Sequence, residues 1–319
     1  MIKMRIIRAV MRKSNQATAS PEANATMDVK TKRTSKMAEM IALHRVAESM
    51  MPEGQRLCYD PYAIRFVDPE TIEFARKNPE KTKEMREYYE RLFPGLGSSI
   101  RARVRYFDDF VKSSIDESLE QLVILGAGYD TRAFRIEGLD KITVFEVDHP
   151  ATQKVKVEKI RKIFGQLPQH VVYVPVDFES EDLGRKLLEM GYDASKKSLF
   201  VMEGLVMYLP PQAVDKTLSF IVRNSGKGSR IIFDYYPQSL VDGTSELEAA
   251  RNILNYVIEQ GEPLQFGIKE GGVESFLAEK GFSQIHSVTC DDYKKAYFHG
   301  ANKDRSVSNL LYFAHAVVE

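Results

Sequence analysis

Cysteine is nearly absent: Cys58 and Cys290 are the only two in 319 residues, far apart and part of no metal-spaced cluster. That scarcity excludes a disulfide framework and makes a reducing, cytoplasmic setting the expectation. The six histidines, His44, His149, His170, His286, His299 and His315, form no i, i+4 pair and have no cysteine companion, so no metal site is expected. Excess charge is missing too. Lys plus Arg and Asp plus Glu both number 45, and a formal net charge of zero sets up no field to draw the chain onto nucleic acid. No apolar run approaches the length of a membrane span, and no internal repeat is visible. The expected partner is a small molecule or a protein end. What is present, 43% hydrophobic residues, suffices for one large α/β domain with elaborations.

Residues 1–27 carry Lys3, Arg5, Arg8, Arg12 and Lys13 with no acid before Glu22, followed by a polar stretch without apolar periodicity. They read as a basic, disordered leader, with Met27 a sensible internal start. From Thr34 to Met51, apolar residues at helical spacing predict an amphipathic helix, and Glu80–Leu92 and Ile100–Ile115 predict two more. Residues 28–117 are therefore expected to form a helical cap on an α/β domain of residues 118–319, the two packing as one unit. Beyond residue 120, strand and helix patterns alternate: strands at 142–147, 171–176, 198–202 and 229–234, helices at 151–164, 181–190 and 211–223. A helix over Gly272–Lys280 is followed by strands at Ile285–Thr289 and Leu310–Val318, which a loop connection lets pair antiparallel. The pattern predicts a doubly wound α/β sheet of seven strands with the last antiparallel.

The segment Gln121-Leu-Val-Ile-Leu-Gly-Ala-Gly-Tyr-Asp-Thr-Arg132 carries the most information. A buried parallel strand reads as a continuous apolar run, and the glycines of Gly126-Ala127-Gly128 at its carboxyl end let the backbone approach a ligand closely. A dinucleotide turn wants a third small residue where Thr131 stands, and Asp130 would set a negative charge beside a pyrophosphate. A phosphate-free cofactor, S-adenosylmethionine, suits the turn better than a nicotinamide dinucleotide. Its ribose diol calls for an acid after the next strand. Asp148, 20 residues beyond Gly128, meets that need, with Glu146 in reserve. Asp177 can accept from the adenine amino group and Phe178 can cover the ring. Glu203, after the fourth strand, would face the ammonium or the sulfonium.

These residues resemble the motifs of the leucine carboxyl methyltransferase family and its microbial relatives, the S-adenosylmethionine-dependent O-methyltransferases. Leu125-Gly-Ala-Gly-Tyr-Asp-Thr-Arg132, Phe145-Glu-Val-Asp-His-Pro150, Val176-Asp-Phe178 and Glu203-Gly-Leu-Val-Met-Tyr-Leu209 follow in the family's order. Upstream, Tyr59-Asp-Pro-Tyr62 and Arg101-Ala-Arg-Val-Arg105 are similar to its Asp-Pro-Tyr element and its Arg-containing helix. The resemblance implies a class I methyltransferase sheet. It places Arg103 on the cofactor carboxylate, Gly126 and Gly128 against its tail, Asp148 on the ribose, Asp177 and Phe178 at the adenine, and Glu203 near the ammonium. Arg101 and Arg105 are alternatives to Arg103, and Arg45 is a further candidate for the tail.

Methyl transfer from a sulfonium is an in-line displacement, so the protein mainly has to align its reactants. A carboxylate of a small molecule or peptide is the expected acceptor, since it is ionised at pH 7 and needs no general base. A phenol or alcohol would need one, for which Tyr208, Asp234, Tyr235 and Tyr236 are the candidates. The competing readings are a nicotinamide-dependent oxidoreductase and a cofactor-binding protein without turnover.

Overall fold

The computed structural model describes residues 36–319. The leader expected at residues 1–27 and the first residues of the predicted opening helix lie outside them. Seven strands, β1 Gln121–Leu125, β2 Thr143–Asp148, β3 Val171–Pro175, β4 Ser198–Met202, β5 Arg230–Tyr235, β6 Phe282–Val288 and β7 Tyr312–Val318, form one sheet in the order β3-β2-β1-β4-β5-β7-β6. Strands β1 to β5 are parallel, and β7 runs antiparallel to both its neighbours. The expected α/β sheet is thus present, with its last strand reversed.

The helices in chain order are α1 Lys36–Ser49, α2 Pro69–Lys77, α3 Pro79–Leu92, α4 Leu96–Asp116, α5 Arg132–Arg135, α6 Pro150–Phe164, α7 Leu183–Glu189, α8 Pro211–Arg223, α9 Gln238–Val241, α10 Glu248–Gln260, α11 Val273–Glu279 and α12 Cys290–Tyr297. Alternate strand residues feed two apolar layers. Leu122, Ile124, Leu199 and Val201 pack with Phe107 and Val111 of α4 and with Ile253 and Val257 of α10. Val123, Leu125, Phe200 and Met202 pack on the other face with Leu187 of α7 and Val214 and Leu218 of α8. Burying each such side chain contributes roughly 1.5–3 kcal/mol, which explains why β1 and β4, covered on both faces, are apolar after their first residues, Gln121 and Ser198. None of the described helices is long and apolar enough to cross a membrane.

Five helices go beyond the sequence expectation, the short α5 and α9 among them. Helix α2 follows an N-cap, Asp68, whose side chain accepts from Glu70 N at 2.9 Å, with proline at the first helical position. Helix α10 ends at Gly261 in the left-handed region. Helix α12 occupies the β6–β7 connection, where a plain loop was expected, and opens with a capping box between Thr289 and Asp292. Strand β6 also starts at Phe282, three residues before the predicted Ile285. Gln284, with φ of 46°, and a register shift between Ser283 and His286 break the alternation that a sequence pattern relies on.

On β7, His315 lies against Phe110 at 4.7 Å and His286 at 4.8 Å between ring centroids. Burial, reinforced by His286 and Arg230, pushes its pKa down to about 4. A group protonated more readily in the unfolded chain than in the folded one contributes stability above the unfolded pKa, lost as pH falls toward the folded value. Between pH 7 and pH 5 this histidine should therefore remove about 2 kcal/mol. Glu146, pushed up to about 7 by burial against the opposing pull of Lys156, acts with the opposite sign over part of that window. The measurement is consequently a difference: urea unfolding of wild type and His315→Gln at both pH values should show the smaller acid loss in the variant. Equal losses would remove His315 from the account.

Candidate functional site

The chain runs from β1 outward to β3 and then returns to β4 on the other side of β1, so the winding reverses between β1 and β4. In open α/β sheets the ligand crevice opens at the carboxyl ends of the strands flanking that reversal. After β1 come Gly126 and Gly128, with φ of 66° and 42°. A Cβ on Gly126 would sit 2.8 Å from Leu205 Cδ1, and one on Gly128 would sit 3.3 Å from the Cβ of Ala38 on α1. Backbone conformation and space both call for glycine here. Along the same edge stand Asp177 beyond β3, Asp148 at the end of β2, the glycine turn, and Glu203 beyond β4. With neighbouring strands about 4.8 Å apart, this row is roughly 14 Å long.

Each predicted residue has a definite place in the row. Asp148 accepts from the amide of Gly128 and, at 2.6 Å, from that of His149, yet burial raises its pKa more than these two bonds lower it. Asp177 makes a turn, accepting from Glu179 N at 3.0 Å and Ser180 Oγ at 2.8 Å. Phe178 packs against the apolar layer beneath α7 and α8. Glu203 lies between two buried arginines: Arg103 Nε at 3.0 Å and Arg132 Nη2 at 2.7 Å. Burial would raise its pKa, but the two guanidinium groups outweigh burial and keep it ionised.

Arg103 projects from α4, 4% exposed, and also donates from Nη1 to Asp234 Oδ2 at 2.5 Å. Burial alone would lower its pKa; Asp234 and Glu203 more than offset that. Its guanidinium rests on Gly204, whose added Cβ would be 3.7 Å from Nη2. That nitrogen has no partner among the described residues. Arg132 differs. It binds Asp108 through Nε at 2.7 Å, Asp130 through Nη1 at 2.5 Å and Glu203 through Nη2 at 2.7 Å, so all its nitrogens are engaged. Arg135 joins through Asp108 at 2.6 Å. Three guanidinium groups thus face four carboxylates, Asp108, Asp130, Glu203 and Asp234, leaving one negative charge in excess.

Several sequence readings change in the structure. Glu146, the reserve ribose acid, is fully buried beneath the turn and paired with Lys156 Nζ at 2.7 Å, so Asp148 alone stands at the tip of β2. Lys156 also reaches the Ala127 carbonyl at 3.4 Å and so props the turn from below. Asp130 does not offer a bare negative charge, because Arg132 neutralises it; the argument against a dinucleotide then rests on Thr131, whose hydroxyl donates to Asp60 Oδ2 at 2.7 Å. Arg45 is bound to Asp60 at 2.8 Å and to the Tyr129 carbonyl, supporting the turn. Arg105 pairs with Asp109 on the surface and Arg101 with Glu48, which leaves Arg103 as the arginine at the strand tips. Tyr208 and Tyr236 pack with the layer of α4 and α10 near Arg103. Tyr235 points to the opposite face, stacked on Tyr312 at 5.6 Å, as strand alternation requires. Arg132, Asp108, Arg135 and Lys156 had no role in the sequence reading, although Arg132 closes the glycine motif itself.

S-adenosylmethionine carries a sulfonium, an ammonium and one carboxylate, a net single positive charge that matches the excess negative charge of the cluster. The open Nη2 of Arg103 suits its carboxylate, and the glycine turn admits its tail without a Cβ in the way. The residues present fit the donor.

Comparison with known proteins agrees. A Bacillus subtilis protein, YktD, provisionally named an S-adenosyl-L-methionine-dependent methyltransferase, is 27% identical over 255 residues, covering 80% of this chain and 82% of that one. A Mycolicibacterium paratuberculosis protein with the same provisional description is 35% identical over 171 residues, 53% of this chain and 54% of its own. Among solved structures, a DUF574 family protein from Streptomyces avermitilis superposes with a TM-score of 0.55 at 13% identity, over 87% of this chain and 97% of that one. A methyltransferase-like protein from Thermobifida fusca gives 0.53 at 15% identity, over 75% and 89%. At such identities the structures speak for the fold alone. The sequence profile described as Leucine carboxyl methyltransferase matches residues 38–222, more than half of the chain, and with the ordered motifs and the strand-tip cluster this shows that the chain belongs to the leucine carboxyl methyltransferase family.

Proposed function

We propose that this S-adenosylmethionine-dependent methyltransferase methylates a carboxylate oxygen of a small molecule or peptide. In this reading Arg103 holds the donor carboxylate, Gly126, Ala127 and Gly128 its tail, Asp148 its ribose, Asp177 and Phe178 its adenine, and Glu203 its ammonium, under a cap formed by the helices before β1. The donor supplies a methyl carbon on a positively charged sulfur, and the acceptor oxygen's electron pair makes the new O–C bond while the C–S pair stays on sulfur. With a carboxylate acceptor no proton moves.

The observation that carries this reading is that, among the described residues around Arg103, each candidate base is engaged, protonated or too weak. Burial, with Arg101 and Arg103 nearby, pushes the pKa of His44 down to about 3, which makes it too weak to take a proton at neutral pH. Burial pushes Tyr236 up to about 12 and Tyr208 well above the ordinary phenol range, so both stay protonated. Asp234 is engaged by Arg103 and by Gly204 N at 2.6 Å, and Glu203 by two arginines. An alcohol or phenol would find no free base among these groups, whereas a carboxylate arrives ionised. The experiment is transfer of a labelled methyl group from S-adenosylmethionine to panels of carboxylic acids and phenols. The product should be base-labile, releasing labelled methanol as an ester does. A base-stable product formed from the phenols would replace this acceptor class.

A further inference from the structure

A surface cleft of about 420 Å³ opens where the single turns Glu53–Gln55 and Gly300–Asn302 meet beside α4. Small-molecule sites span roughly 300–1,000 Å³, so the volume admits a ligand of that class. Its lining carries two guanidinium groups, Arg56 and Arg105, and no carboxylate among the described residues. In a chain whose formal charges balance, that is a local excess of one sign. The backbone is bare on two sides: a Cβ added at Gly54 or at Gly300, both in the lining, would meet nothing within 4 Å.

Both arginines are held in place with donors to spare. The guanidinium of Arg56 lies over the ring of Tyr59, 4.0 Å from its centroid, and the side chain is 23% exposed. Stacking fixes the plane and leaves free the edge along which every N–H points. Its carboxylate neighbour, Glu53, is 3.8 Å away, beyond hydrogen-bond distance, and 92% exposed, so no acceptor among the described residues takes those donors. Arg105 gives only its Nε, to Asp109 Oδ1 at 2.9 Å and Oδ2 at 2.8 Å, and Asp109 is steadied by the hydroxyl of Tyr297 at 3.1 Å. Both Nη nitrogens remain without a partner among the described residues. The walls are fixed as well. Glu48, a buried carboxylate of α1, accepts from Leu57 N at 2.8 Å on one rim and from Arg305 at 2.7 and 2.9 Å beyond the other, while Arg305 also donates to Asn302 Oδ1 at 3.0 Å. The cleft is therefore preformed.

We infer that this cleft binds a sugar phosphate through its phosphate group. A tetrahedral dianion presents oxygens in enough directions to accept from Arg56 and from Arg105 together, whereas a planar carboxylate is filled by one fork. The volume exceeds what a phosphate alone would occupy, and the rest of the lining, His299, Asn302 and the backbone at Gly54 and Gly300, offers polar partners for hydroxyl groups. Arg105 follows Arg103 by two residues on α4, a spacing that sends the two side chains to opposite sides of the helix. The phosphate site is thus separate from the donor cluster.

The test is calorimetry on the full chain with glucose 6-phosphate as probe. Binding should saturate and be about tenfold or more tighter than that of glucose or of inorganic phosphate. Arg56→Gln and Arg105→Gln should each weaken it by about tenfold or more, the loss expected for one charged hydrogen-bonding partner. Neither change strands a buried group, so the thermal midpoint should stay at the wild-type value, which separates lost binding from lost fold. Arg251→Gln, which removes an exposed guanidinium of α10 outside the cleft, should leave binding intact. Absence of saturable binding, equal binding of glucose or of inorganic phosphate, full binding by either cleft variant, or an equal loss in Arg251→Gln would each overturn the inference.

Discussion

Replacing Arg132 by methionine is expected to cost the fold about 3–5 kcal/mol, the range for removing one partner from a buried ion network. Arg132 is 2% exposed and holds Asp108, Asp130 and Glu203. Asp108 would keep Arg135 and Glu203 would keep Arg103, but Asp130 would lose the one guanidinium paired with it among the described residues. Its pKa, which burial would raise, is now held well below the usual carboxylate range by Arg132. Net stabilities of about 5–15 kcal/mol leave little room for such a loss. Urea unfolding at pH 7 would measure it, and adding Asp130→Asn to the variant should recover part of the stability, because the stranded charge goes with it. An unchanged midpoint in the single variant would show that the network does not act as a unit.

The second large effect is expected from Arg103→Met, in ligand binding. In the proposed site, a charged bond from Nη2 to the donor carboxylate would contribute roughly 1.5–3 kcal/mol, so its loss should cost about 10- to 100-fold in affinity for S-adenosylmethionine. Decarboxylated S-adenosylmethionine separates this bond from general damage. Wild type should bind it more weakly than the complete donor, and Arg103→Met should show little further loss, since the group that Arg103 grips is already gone. Equal proportional losses for both ligands would mean that Arg103 acts through the shape of the site and not on the carboxylate. Arg103→Lys should rescue only partly, because a point charge cannot reach Glu203, Asp234 and a ligand with a planar fork.

The strand tips were open to reading from sequence because their signals are local. An apolar run ending in two glycines, and an acid where a parallel strand stops, are each read within a few residues, and periodicity alone locates the strands along the chain. The charge network is a different matter. Arg103 and Asp234 are 131 residues apart, and Arg132 and Asp108 are 24 apart, so no window contains either pair. A buried arginine also looks the same in sequence as a solvated one. Asp130 shows the consequence: its negative charge is evident in the chain, but the neighbour that cancels it is recognised only once both are seen to be buried. Helices α2, α10 and α12 were missed for a lesser reason, since their caps, Asp68, Gly261 and Thr289, stand in the sequence where such signals belong.

The one surplus carboxylate of the arginine cluster bears on turnover as well as on capture. Once its methyl group has left, the spent nucleoside thioether is electrically neutral, so the attraction that favoured the charged reactant is gone while every neutral contact persists. Release would be eased by that discharge, and added salt should weaken the reactant's grip more than the by-product's.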